Sequence, residues 1–111
     1  MDILTPTGGG MASGFDVERF VNDLVNEFVR GSKLPLDPTA RYLVVDPARQ
    51  HRLEIERQVR QQPGTTDQIA DAVRTVLRNA LDLALQRDKS QIDEECVREA
   101  MKWECRYFGW C

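Results

Sequence analysis

The sequence predicts a small, mainly α-helical domain built around a long central helix. Three observations lead there. Thr65 to Arg87 carries apolar residues at helical spacing over more than five turns. Asp16 to Arg30 repeats the same period in a shorter stretch. Asp93 to Met101 adds a short capped helix after a polar break. A short strand or hairpin over 41–59 is the one β element the pattern permits.

The central helix is expected over 65–87. Pro63 and Gly64 interrupt the chain before it. Thr65 with Gln68 three residues on has the form of a capping box. Ile69, Ala72, Val73, Val76, Leu77, Ala80, Leu81, Leu83 and Ala84 fall on one side. That arc spans roughly half the circumference, wider than the stripe of a surface helix, so several neighbours should pack on it. Arg87, Asp88, Lys89 and Ser90 end it. Asp93 is placed to cap the following helix, with Glu94 and Glu95 at the favourable end of its dipole. Val97, Ala100 and Met101 form its inward face, and Ile92 is placed to staple against Val97.

The first helix is expected from Asp16 to Arg30, with Asp16 as cap and Gly31 as stop. Val17, Phe20, Val21, Leu24, Val25 and Phe28 make its apolar face, which packs on its own domain or meets a partner. Its opposite face is acidic, which disfavours an anionic membrane surface. Pro35 and Pro38 mark 32–40 as an extended connector. Arg41 to Val45 is β-prone, and Asp46-Pro47 has the form of a helix start. Residues 47–61 therefore read as a helix. The rival is a hairpin of 41–45 with 51–59, because His51, Leu53, Ile55 and Val59 also fit a period of two.

At 111 residues the chain makes one domain with a modest core. Residues 1–14, rich in glycine, are expected to form a flexible N-terminal arm, and 15–111 the single helical domain. The net charge of −3 argues against a general polyanion binder, so nucleic acid is not the expected partner. No apolar run approaches the ~20 residues of a membrane span. No basic region followed by an apolar run opens the chain, which makes the cytoplasm the expected compartment.

Catalytic constellations are absent from the pattern. The three adjacent glycines Gly8, Gly9 and Gly10 are not followed by the Lys-Ser or Lys-Thr of a phosphate-binding loop. Cys96, Cys105 and Cys111 lie too far apart for zinc-type spacing, and His51 is the sole histidine. Neither a metal nor another cofactor is expected. Glu94 and Glu95 project from different sides of a helix and make a poor carboxylate pair.

Two stretches remain as contact candidates. Trp103, Tyr107, Phe108 and Trp110 place four of the eight aromatic residues near the C-terminus. They either fold back onto the core or face another chain. Between Arg41 and Arg60, five arginines stand against three acids in an otherwise acidic chain. Arg49, Arg52, Arg57 and Arg60 are the candidates there for an anion or partner contact.

The helix–loop–helix from Ala72 to Lys102 resembles the end of a histone fold and the small helical lid domain of AAA+ ATPases. Ala80, Ala84, Ile92, Asp93, Val97 and Ala100 carry the likeness. A lid-like module here would act without ATP hydrolysis, since no nucleotide-binding loop occurs. The expected function is a non-catalytic interaction or assembly subunit that contacts another protein chain or copies of itself. The alternative is a nucleic-acid-associated helical module using the arginine segment.

Overall fold

A computed structural model describes residues 15–104 and Tyr107. The expected arm at 1–14 and the C-terminal residues Cys105, Phe108, Trp110 and Cys111 lie outside the described residues. Five helices make up the described chain: α1 (Val17–Gly31), α2 (Pro38–Gln50), α3 (Arg52–Gln61), α4 (Thr65–Gln86) and α5 (Glu94–Met101). Helix α4 packs against α5 and α1, α1 also packs on α2, and α2 on α5. Helix α3 closes one side against α1, α2 and α4.

Helix α1 begins where Asp16 Oδ1 accepts the Arg19 N–H at 3.1 Å. Val17, Val21, Leu24 and Val25 are buried along it, with Phe20 and Phe28 packed partly against the same core. Of the face expected of it, helix α4 buries Ile69, Ala72, Val73, Val76, Leu77, Ala80 and Ala84, while Leu81 and Leu83 pack partly against the core. Its start differs from expectation. Thr65 is the first helical residue and is buried, and no side chain caps the turn. The first amides instead bond to Gln62, Pro63 and Gly64 carbonyls in a tight turn. The buried position of Thr65 takes it away from the capping role.

The strand or hairpin over 41–59 does not form; the described residues contain no strand, and this stretch is helical. The Asp-Pro start signal is used one copy earlier. Asp37 Oδ2 accepts from the Thr39 and Ala40 amides, with Pro38 in the first turn. The connector therefore ends at Asp37, and the β-prone Val44 and Val45 pack inward with Ala40 and Ala48. Burial outweighs strand propensity here. The period-two reading fails at Leu53, which is 81% exposed while Ile55 and Val59 are buried. Pro47 lies inside α2, so Leu43 loses its helical amide partner, and the helix yields at His51 one turn later. The break is slight: His51 N–H still bonds Pro47 O and Ile55 N–H bonds His51 O, both at 2.9 Å.

The α4–α5 connection is a tight stop. Asp88 has φ of 53°. Around it, Lys89 N–H bonds Ala84 O and Asp88 N–H bonds Leu85 O, the two bonds of a Schellman cap. The chain then runs beside Leu36, forming a single parallel bridge from Leu36 to Ile92. Asp93 Oδ1 accepts the Cys96 N–H at 3.0 Å and starts α5. Ile92 and Val97 are both fully buried, as the staple requires.

A candidate partner-binding surface

Helices α2 and α3 keep one helical phase across His51. Val44, Ala48, Ile55 and Val59 follow one another at steps of four, seven and four residues and are all buried. The opposite face is consequently shared as well. Tyr42, Arg49, Leu53, Arg57 and Arg60 fall along it at steps of three, four and seven residues. All five are exposed. The candidate arginines Arg49, Arg57 and Arg60 thus lie in one stripe, with Arg52 at its edge.

The stripe has an ordered end and an open end. Arg49 Cζ lies 5.2 Å from the centre of the Tyr42 ring, in cation–π range. Arg49 Nε is also 3.7 Å from Glu18 Oε2 on α1. Arg52 Nε meets Glu56 Oε2 at 3.3 Å. Arg57 and Arg60 make no ion pair among the described residues. Acids on this segment are held elsewhere. Glu56 is buried and accepts the Val17 N–H at 3.2 Å, Asp46 accepts from Gln50, and Glu54 faces His51 at 3.7 Å. Four arginines and only one acid, Glu54, are exposed over 41–60.

The C-terminal rings part company. Trp103, just past α5, is 81% exposed. Tyr107 is 1% exposed and belongs to the core of its own chain. Burial pushes the Tyr107 phenol well above its ordinary value, with the Ala48 backbone opposing the shift. Phe108 and Trp110 lie outside the described residues. Sequence reasoning missed Tyr42 and Leu53. Their seven- and four-residue spacing to Arg49 is the signal that finds them once the segment is known to be helical.

Cys96 is fully buried, and burial, followed by the hydrogen bond to Asp93, raises its thiol pKa. That holds the thiol protonated, the opposite of an activated nucleophile. Among the described residues, no group of three His, Cys, Asp or Glu is placed to hold a metal ion. No described helix is long and apolar enough to cross a membrane. No family model matches the chain, and neither does any curated protein or solved structure.

Proposed function

We propose that this chain is a non-catalytic subunit that works by docking another protein chain, in the cytoplasm. The observation that carries the reading is the exposure of two large apolar side chains, Leu53 and Trp103, each 81% open to solvent. Both sit on or directly beside helices whose remaining large apolar side chains are buried or partly covered. Trp and aliphatic anchors of this kind supply much of the binding energy of protein interfaces. The likeness of residues 72–102 to the end of a histone fold, or to a lid domain, is one of helix–loop–helix packing and lends no residue a role.

Affinity capture from the native cell tests it, with wild type beside Leu53→Ser and Trp103→Ser. Wild type should retain a companion chain, or a second copy of itself, in fixed proportion. At least one of the two variants should lose it while melting at the wild-type temperature. Retention of no companion, with wild type a lone monomer, would overturn the proposal.

A second reading follows from the exposed arginines of α2 and α3, which also suit the phosphates of a nucleic acid. Its mark is retention on DNA or RNA that falls steeply with salt. The net charge of −3 and the acidic faces of α1 and α5 work against it.

A further inference from the structure

We infer that the stripe along α2 and α3 docks an acidic, amphipathic segment of a partner protein. This names the partner chemistry for the interaction role proposed above and rests on that reading. Tyr42 and Leu53 are its apolar anchors, and Arg49, Arg57 and Arg60 are its cations.

Three features of the stripe point to that occupant. First, apolar and cationic side chains alternate along one face, from Tyr42 through Arg49 and Leu53 to Arg57 and Arg60. A partner helix with apolar residues three or four apart, flanked by Asp or Glu, presents the complementary row. Second, the local charge is reversed relative to the chain. Glu56 sits on this segment by sequence but turns inward to Val17, where it meets only Arg52 at the stripe's edge, while Arg49 reaches Glu18 on α1. Arg57 and Arg60 have no acid within ion-pair distance among the described residues. A partner's carboxylates would complete them, since an Arg fork donates two parallel N–H bonds to the two oxygens of a carboxylate. Third, the Tyr42–Arg49 stack holds one cation and one ring in place before binding, which lowers the ordering cost.

A nucleic acid fits less well. Leu53 stands fully in the path of any ligand on this face, and a phosphodiester backbone offers it no apolar cover. Glu18, 3.7 Å from Arg49, and Glu54, next to Leu53 in sequence, lie beside the stripe and would oppose a continuous polyanion. Spaced carboxylates between apolar side chains avoid both conflicts.

The test pans a random library of about 12-residue peptides on the immobilised full chain, a length that spans roughly three helical turns. Enriched peptides are then measured by fluorescence anisotropy against wild type, Leu53→Ser and the double variant Arg57→Glu/Arg60→Glu. All three positions are exposed, so the variants should melt as wild type does. The expected peptides are acidic, with apolar residues at three- or four-residue spacing. Each variant should weaken their binding about ten-fold or more, the loss of one anchor or charge pair. Enrichment of neutral or basic peptides, no enrichment, or binding equal on wild type and variants would overturn the inference. So would tighter binding of a 20-nucleotide strand that displaces the peptides. If the native companion is lost in Trp103→Ser but kept in both stripe variants, the interaction role stands and this docking site falls.

Discussion

The carboxylate of Glu56 accepts the amide proton of Val17 across 39 residues of sequence, at 3.2 Å. Val17 is the first residue of α1, so α3 supplies a cap to a helix it does not adjoin in the chain. The negative charge sits at the positive end of the α1 dipole. Asp16 caps the same end from within the chain, so α1 begins under two carboxylates. The contact locks α1 to α3 and turns an acid away from the arginine stripe. One residue therefore serves both the fold and the charge of the candidate site.

Glu56→Ala should cost about 1–3 kcal/mol, because the fully buried Val17 amide loses its acceptor. Glu56→Gln keeps an acceptor oxygen and should cost less. Urea denaturation of the two variants checks the order. Equal losses would place the effect in the negative charge, beside Arg52 and at the α1 N-terminus, instead of the hydrogen bond.

Asp88→Gly should stabilise the protein by about 1 kcal/mol. Asp88 holds φ of 53° in the Schellman cap, a conformation that strains side chains and leaves glycine unstrained. Its side chain is exposed, so little contact is lost. Thermal melting reads the result; a lower melting temperature would contradict it.

The pH dependence near α5 follows from Asp93. Its hydrogen bond with the Lys89 ammonium, then the Cys96 amide, lowers its pKa from 3.8 to about 2. Lys89 Nζ lies 2.6 Å from Asp93 Oδ2 and 3.0 Å from Glu95 Oε1. A folded-state pKa below the unfolded one adds stability above the unfolded value, and that stability is lost as pH falls through the folded value. The contribution should be complete above about pH 4 and vanish near pH 2, the interval set by this shift. Asp93→Asn keeps a capping side chain, so it isolates the charge. Its stability should fall below wild type at neutral pH and converge with it across that interval in denaturant titrations at stepped pH.

Val76→Asp or Leu77→Asp should each destabilise the domain by about 3 kcal/mol or more, since both are fully buried on α4. A cooperative melt near wild type for both would contradict the central place of α4.

Where one period dominates, the sequence was readable. Helices α1, α4 and α5 carry single-phase apolar rows and sit within a residue or so of their expected bounds. The segment 38–61 was not, for a local reason. With Asp37 before it, the stretch offers two Asp-Pro pairs, and only tertiary burial of Ala40, Val44 and Val45 selects the first as the helix start. Leu53 and Ile55 fit either period until one is seen outside and the other inside. The stripe was half legible, as a cluster of arginines without the apolar anchors that lie among them. No local pattern announces a bond from Glu56 to Val17, nor the left-handed turn at an aspartate.

The two placed C-terminal rings should separate in mutagenesis. Tyr107 is buried against the core, and removing a buried ring leaves a cavity as well as losing its transfer energy. Tyr107→Ala should cost about 3–5 kcal/mol, the range for truncating a large buried aromatic. Trp103 projects into solvent after the last turn of α5, with its backbone amide bonded to Ala100 O at 3.3 Å. Trp103→Ala leaves that bond intact and should change stability by less than about 0.5 kcal/mol, as exposed substitutions usually do. Its effect should appear only in association, as a smaller species by sedimentation when the companion chain or second copy is present. A large stability loss at Trp103 would assign it to the core. A neutral Tyr107→Ala would detach the C-terminal segment from the core and return that ring to the surface available for contact.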